Sequence, residues 1–186
     1  MRIEIQRLYV SPGHNFFGRR ALPAGEHPTQ EIQNICCRAG YGIEGDRFYG
    51  FRPDYQGQIT FFAWETYEAV GREFGVANLS PGAFRRNVLI AGADLNGLIG
   101  RRFTVGGVEF EGTDEARPCQ WMNHAVAPGA EEWLKGRGGL RARILTDGVL
   151  MLGSAELVVL EKSAQPNRTA RFVGKRAVEL GLKRGV

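Results

Sequence analysis

The sequence lacks any apolar run of the roughly 18–20 residues that a membrane-spanning helix needs. It also lacks the apolar stretch of a secretory signal peptide, because Arg2 and Glu4 place charges at the very start of the chain. Both absences argue against a membrane-bound or exported protein. The sequence therefore predicts a cytoplasmic protein with no membrane partner.

Cysteine and histidine are scarce, with three residues of each in a chain of 186. Three is an odd number for a disulfide scaffold, and Cys36 and Cys37 are adjacent, so in a strand they point to opposite faces. The chain has no CxxC pair and no two histidines at helical spacing. A disulfide framework and a structural zinc site are therefore both poorly supported, and reduced thiols fit best.

Several familiar catalytic and binding motifs are also missing. The chain has no serine nucleophile elbow, P-loop, paired-carboxylate signature or RNP motif of an RNA-binding sheet. The segment 42–47 contains glycines but does not fit the GxGxxG dinucleotide pattern. The net charge of +4 permits an anionic ligand, but no stacking platform accompanies it, so no nucleic-acid partner is expected.

Glycine, in contrast, is abundant: 26 residues, spread along the chain without a period. Short apolar runs separated by glycine and proline are typical of a compact barrel or sandwich. The sequence predicts a hairpin over 102–110, with Gly106 and Gly107 as its turn. The remaining predicted strands cover 2–10, 30–38, 59–63, 87–90, 140–146, 149–152 and 155–160.

Helices are predicted at 64–74, where the apolar spacing ends at Gly75, and at 128–135. Residues 14–29 have no sustained period and are predicted to form a long loop. Residues 170–182 again have a helical pattern. No linker or repeat divides the chain, so we expect one mostly-β domain with two or three short helices.

Cys119 is the first candidate for chemistry, in the run Arg117-Pro118-Cys119. A nearby cation such as Arg117 stabilises a thiolate, which makes cysteine a nucleophile or a metal ligand. A lone cysteine is more often an inert buried residue, and the local pattern by itself favours that interpretation.

Arginine pairs are the second candidate. Arg85 and Arg86 precede a predicted strand and could offer forked donors to a phosphate or to oxo groups, or could be a solvated pair. Arg141 and Arg143 leave a strand on one face, which could be a ligand wall or a barrel exterior. The basic, glycine-rich loop 135–139 could wrap an anion or lie in water.

Taken in order, these segments resemble the MOSC family, named for the C-terminal domain of molybdenum cofactor sulfurases. The resemblance spans roughly residues 3–160. The matching segments are Gly42-Ile43-Glu44-Gly45-Asp46-Arg47, then Arg85-Arg86-Asn87-Val88 followed by Gly92, Leu95 and Leu98-Ile99-Gly100, then Arg117-Pro118-Cys119, and finally Gly138-Gly139-Leu140-Arg141-Ala142-Arg143.

The resemblance implies a MOSC-type β-barrel with flanking helices over 3–160. The helical pattern beyond it predicts a helical tail over 161–186 that packs on or near the barrel. It implies a molybdopterin-type molybdenum cofactor and assigns Cys119 as metal ligand or sulfur carrier. No aminotransferase-like domain precedes the barrel, so no PLP is expected in this chain. The implied cofactor-binding residues are Asp46, Arg47, Arg85, Arg86, Asn87, Arg117, Arg141 and Arg143.

Three functions follow from the resemblance. The first is a molybdenum-dependent oxidoreductase acting on small N-hydroxylated or oxidised substrates, covered by the 14–29 loop. The second is a sulfur carrier with a persulfide on Cys119, and the third is a non-catalytic cofactor carrier. The expected partners are a small-molecule substrate and an electron-donor or cofactor-delivery protein.

Two positions depart from the family pattern. Phe48 stands where members often have histidine, so no polar role can be assigned there. Gly153-Ser154 stands where a Gly-Asp pair is common, which removes a carboxylate.

Overall fold

The computed structural model describes residues 1–14 and 27–162, and the side chains up to Leu160. Eleven strands and three α-helices are present in these residues. The strands are β1 Arg2–Val10, β2 Gln30–Ile32, β3 Asn34–Arg38, β4 Gly42–Ile43, β5 Ile59–Ala63, β6 Val88–Ala91, β7 Arg101–Val105, β8 Val108–Glu115, β9 Leu140–Ile144, β10 Gly148–Met151 and β11 Gly153–Lys162. The helices are α1 Trp64–Phe74, α2 Trp121–Ala125 and α3 Ala130–Trp133, with 3₁₀ turns at Pro81–Phe84 and Asn96–Leu98.

Seven of the strands close into a barrel, in the order β11, β7, β8, β9, β5, β6, β1, with β1 returning to β11. All neighbours in the wall are antiparallel except β5 and β6, which are parallel and joined through α1. β2 extends the wall beyond β1, and β10, β3 and β4 form a separate small sheet. The predicted mainly-β barrel is confirmed.

The barrel interior is filled by the inward residues of each strand. Phe61, Phe103 and Phe110 meet at its centre, with ring centroids 5.3–5.8 Å apart and two of the three contacts edge-to-face. This arrangement suits aromatic quadrupoles and excludes water from the interior. The barrel is therefore a packed core, and a binding site has to lie on its outside or its rim.

A second apolar cluster lies on the outer face of the wall, where the three helices cover it. Phe62 of β5 points outward and stacks on Phe84 at a centroid distance of 4.6 Å. Val70 of α1 and Leu134, just after α3, are buried in the same cluster. Packing of Phe84 against the wall brings the next residues, Arg85 and Arg86, onto the outer surface of the barrel.

Most of the predicted elements are confirmed, including the 102–110 hairpin and the helix that ends at Gly75 with φ 59°. Three differ. The predicted strand 30–38 is interrupted at Gln33, the helix predicted over 128–135 is only Ala130–Trp133, and α2 directly after Cys119 was not predicted. The 14–29 loop, from residue 15 to residue 26, and the predicted tail helix lie outside the described residues. No helix among the described residues is both long enough and apolar enough to span a bilayer.

Candidate functional site

Three segments that are far apart in sequence meet on the outer face of the barrel. They are residues 84–87 before β6, residues 116–119 after β8, and residues 138–141 at the start of β9. Backbone and side-chain hydrogen bonds join them: the Ala116 amide donates to the Gly139 carbonyl at 2.8 Å, and Arg86 Nε donates to the Gly138 carbonyl at 2.9 Å. We call residues 116–119 the Cys119 segment.

Cys119 lies exposed at the end of this segment, directly before α2. Its carbonyl accepts from the Met122 amide at 2.8 Å, which fixes the turn into the helix. Arg85 and Arg86 are close enough that the charge of a Cys119 thiolate acts on both guanidinium groups and opposes the lowering of their pKa. The inert buried interpretation of Cys119 therefore does not apply, because the thiol is open to solvent and faces cations.

Four arginine side chains interact electrostatically around this point: Arg47, Arg85, Arg86 and Arg141, which we call the arginine cluster. Burial, followed by Arg47, lowers the pKa of Arg85 to about 10. Burial, followed by Arg141 and Arg85, lowers the pKa of Arg86 to about 10 as well. Both groups stay charged at neutral pH, so the cluster holds positive charges under mutual repulsion.

Arg85 has an unusual backbone, with φ 56° and ψ 39° at the end of the 3₁₀ turn. Its amide donates to the Gly82 carbonyl at 3.0 Å, and its guanidinium lies 5.9 Å from the centre of the Trp121 ring. Trp121 is itself held by a bond from Nε1 to the Ala83 carbonyl at 2.7 Å. A non-glycine residue in the left-handed region is strained, and such strain is common at functional sites.

Arg85→Gly is expected to unfold at the same or a higher denaturant concentration than the wild type, because glycine relieves the left-handed strain. Arg85→Ala removes the same guanidinium but keeps the Cβ. We expect the glycine variant to be more stable than the alanine variant by about 1 kcal/mol. Urea unfolding of both variants measures this difference, and an alanine variant as stable as the glycine variant would show that Arg85 is not strained.

The Arg86 guanidinium donates its hydrogen bonds to backbone carbonyls. Besides the bond to Gly138, its Nη1 donates to the Phe84 carbonyl at 2.9 Å and its Nη2 donates to the Ala116 carbonyl. A planar guanidinium can satisfy three carbonyl groups in this way. The predicted forked donor at this position exists, but in the described structure its partners are backbone carbonyls.

Asp46 and Asn87 are similarly engaged in holding the chain. The buried Asp46 carboxylate accepts from the Ser11 amide at 3.1 Å and the Phe48 amide at 3.0 Å. Asn87 Oδ1 accepts from the Thr60 amide and hydroxyl, at 3.0 and 2.8 Å. Asn87 Nδ2 donates to Asp46 Oδ2 at 3.4 Å. These contacts fix Asp46 and Asn87 beneath the arginine cluster, and we call these two residues the floor of the site.

Arg47 lies beside the Asp46 carboxylate. Burial lowers its pKa, and Asp46 opposes that effect from 4.0 Å. Its guanidinium carbon lies 4.6 Å from the centre of the Phe48 ring. A cavity of about 10 Å³ remains between Asp46, Arg47, Arg85 and Asn87. Because that volume holds at most about one water, any larger ligand of these residues has to lie on their solvent side.

Phe48, which stands where family members often have histidine, belongs to a group of aromatic side chains in the structure. Its ring packs against Phe51 and Tyr55, at centroid distances of 5.6 and 5.1 Å, and meets the edge of His14 at 6.1 Å. Burial and the charges of Arg47 and Arg85 lower the pKa of His14. His14 therefore lies beside the arginine cluster and next to the aromatic ring of Phe48, and no spacing pattern in the sequence predicted this arrangement.

Arg141 lies at the edge of the arginine cluster, and the other two predicted arginines, Arg117 and Arg143, form ion pairs outside it. Arg141 is exposed, and its charge acts on Arg86. Arg117 points to Asp114 at 3.7 Å, with its side chain 73% exposed. Arg143 Nη1 donates to Glu111 at 2.9 Å. The common face predicted for Arg141 and Arg143 is the barrel exterior, and of these two residues Arg141 belongs to the arginine cluster in the described contacts.

The basic loop 135–139 does not wrap Cys119. Arg137 lies over the Trp133 ring at 4.3 Å. A cleft of about 440 Å³ separates this loop from the start of α1 and from residues 92–96, and its lining carries both signs of charge, from Glu65, Asp94 and Arg137. Neither Cys119 nor Arg85 lines this cleft, so its volume does not make it the candidate functional site.

Comparison with known proteins agrees with this fold. The MOSC domain model matches residues 45–155, which is more than half of the chain and includes Asp46, Arg85, Arg86 and Cys119. No curated protein matches at a significant level.

Solved structures with the same fold come from several bacteria. The YUAD protein from Bacillus subtilis aligns with a TM-score of 0.68 and 19% identity, over 87% of this chain and 98% of that one. YiiM from Geobacillus stearothermophilus aligns with a TM-score of 0.63 and 18% identity, over 88% and 77%. YiiM from Escherichia coli aligns with a TM-score of 0.58 and 18% identity, over 85% and 70%. At these identities the likeness shows a shared fold alone. With its barrel, its ordered motifs and the family match over residues 45–155, the chain belongs to the MOSC domain family, which is associated with binding of the molybdenum cofactor.

Proposed function

We propose that this chain binds a molybdopterin-type molybdenum cofactor on the solvent side of the arginine cluster, with Cys119 as the protein ligand to the metal. We further propose that the loaded protein reduces small N-hydroxylated or oxidised substrates. The observation that supports the binding proposal is an exposed thiol beside partly buried, mutually repelling arginine side chains. The proposed reduction rests on the membership of the MOSC family.

The charge of the cluster fits an anionic cofactor. Arg85 and Arg86 are kept charged although burial and neighbouring cations lower the pKa of each. A phosphate and a metal-bound dithiolene bring negative charge, which would offset that repulsion and raise both pKa values again. Arginine binds such groups through two parallel hydrogen bonds, which also orients them.

The set of metal-ligating side chains near Cys119 also fits such a cofactor. Among residues 1–14 and 27–162, no three histidine, cysteine, aspartate or glutamate side chains are grouped to hold a metal ion. A metal at Cys119 therefore needs most of its ligands from another molecule, and a dithiolene cofactor brings its own sulfurs. Thiolate is a soft ligand suited to such a centre. When bound, the molybdenum centre supplies oxygen-atom transfer.

The chain's own residues then have separate tasks. Arg85 and Arg47 hold negative charge above the floor built by Asp46 and Asn87, and Arg141 contributes from the exposed rim. Cys119 anchors the metal at the start of α2. Arg117 and Arg143 are paired with carboxylates in the described contacts, so we leave them outside the proposed contact set.

The exposure of Cys119 also favours a second function, that of a sulfur carrier. In that role the Cys119 thiolate attacks the outer sulfur of a donor persulfide, forms a Cys119 persulfide and releases the donor thiol. This reaction needs access to solvent and a partner protein but no bound metal.

Cys119→Ala is expected to abolish reduction of N-hydroxylated bases by protein made in a cofactor-producing host, while leaving the thermal unfolding midpoint nearly unchanged, since the side chain is exposed. The matched control is Cys36→Ala, which should retain activity. A Cys119→Ala variant as active as the wild type contradicts the oxidoreductase proposal. Metal-free wild-type protein carrying labile sulfur on Cys119, detected by mass spectrometry, favours the sulfur carrier instead, and bound metal without any reduction favours a cofactor carrier.

A further inference from the structure

Arg86 joins the Cys119 segment to the loop before β9. Its three donating nitrogens reach the carbonyls of Phe84, Gly138 and Ala116, so one side chain ties together three stretches of chain. We propose that Arg86 is a positioning residue, which sets the place of the Cys119 thiol beside Arg85 instead of binding the cofactor itself. This inference rests on the proposed function, in which Cys119 is the reacting thiol.

Gly138 packs directly against the Cys119 segment. A Cβ at Gly138 would lie 2.5 Å from the Ala116 carbonyl oxygen and 3.0 Å from Pro118 Cδ. The Gly138 amide also donates to Glu115 Oε1 at 3.1 Å. The segment is therefore pressed against a bare glycine, and Pro118 restricts the backbone immediately before Cys119.

These contacts transmit a change at Arg86 directly to the thiol. Only two residues, Arg117 and Pro118, separate Ala116 from Cys119, and the segment reaches α2 without an intervening strand. Lysine at position 86 keeps the charge but not the planar fork, so it cannot hold all three carbonyls. Alanine at position 138 keeps every charge and moves the segment by steric contact alone. The two substitutions disturb the same link by different means.

The test measures alkylation of the full-length, cofactor-free protein by iodoacetate, an anionic reagent. While the segment holds the thiol beside Arg85 and Arg86, their charge draws the reagent to Cys119. Cys36, partly exposed in the small sheet, serves as the internal reference. Cys37 reports global unfolding, because it is buried and burial raises its pKa to about 12.

In Arg86→Lys and in Gly138→Ala, we expect the Cys119 rate relative to Cys36 to fall about fivefold or more, with Cys37 still protected. The matched controls are Arg102→Lys, at an exposed arginine of β7, and Gly71→Ala in α1, where a new Cβ would lie 3.8 Å from the Val76 carbonyl oxygen. Both controls should keep the wild-type ratio.

An unchanged Cys119 ratio in both variants overturns the proposal, and so does a parallel rise at all three cysteines, which would show a merely structural role. Because no cofactor is present, this outcome is independent of whether the protein binds molybdenum. A protein that positions Cys119 through Arg86 but never retains metal would overturn the proposed function alone.

Discussion

Gly139→Ala is expected to destabilise the folded protein by about 3 kcal/mol or more, measured as the loss in free energy of unfolding in urea. Two effects add at this position. Gly139 has φ +94°, in the region that side chains rarely adopt, and its Cβ would lie 2.2 Å from the Phe61 carbonyl oxygen. Phe61 belongs to the barrel core, so the carbonyl cannot retreat without disturbing β5.

Gly107→Ala separates these two effects. Gly107 has φ +84° in the hairpin turn between β7 and β8, but a Cβ there would meet no atom within 4 Å. Its replacement therefore measures the backbone strain alone, expected at about 1–2 kcal/mol. Equal losses in the two variants would show that Gly139 is needed only for its backbone conformation and that the wall does not press on it.

Arg86→Met is the second substitution with a large expected effect. Methionine keeps much of the aliphatic packing but leaves the carbonyls of Phe84, Ala116 and Gly138 without their donor. At about 1 kcal/mol or more for each such group, the free energy of unfolding should fall by about 3 kcal/mol. Relief of the repulsion with Arg85 and Arg141 works in the opposite direction but is weaker, because those charges are partly screened by solvent.

Arg102→Met provides the comparison for this variant. Arg102 is exposed, and its described ion pair with Glu109 spans 3.7 Å, so its loss should change the stability by less than about 0.5 kcal/mol. If Arg86→Met were as stable as Arg102→Met, the three carbonyl contacts would contribute nothing net, and the description of Arg86 as a structural tie would be wrong.

The barrel could be predicted from local patterns because its elements are set by short-range chemistry. The turn at Gly106 and Gly107 carries positive φ at both residues, 56° and 84°, as a two-residue hairpin turn requires. Gly75 ends α1 in the left-handed conformation for a similar reason. The five-residue helix α2 has no comparable signal, and it forms because Met122 packs into the outer apolar cluster.

The site could be predicted only as a set of residue types. The adjacent Arg85 and Arg86 and the lone Cys119 were identified by their order along the chain, and the fold brings them together. Which arginine does what could not be predicted, because the partners of Arg86 are backbone carbonyls, which are invisible in a sequence. The pairing of Arg143 with Glu111 depends on the register of β8 and β9, in which these two residues are opposite each other.

Glycine in the loop before β9 shows the same limit. The sequence predicted that residues 135–139 form a flexible basic loop that could wrap an anion or lie in water. In the structure, Gly138 and Gly139 are buried and allow two backbones to approach closely. Close tertiary contact, and not flexibility, explains why glycine occupies these two positions. The contact at Gly138 also holds the Cys119 segment in place.

The most direct test of the central claim is the molybdenum content of wild-type and Cys119→Ser protein, purified side by side from cells that make the cofactor. Serine removes only the soft sulfur ligand, so the fold and the arginine cluster remain. We predict near-stoichiometric molybdenum in the wild type and a large loss in the variant. Wild-type protein without molybdenum, or a variant that retains as much as the wild type, would contradict the role assigned to Cys119.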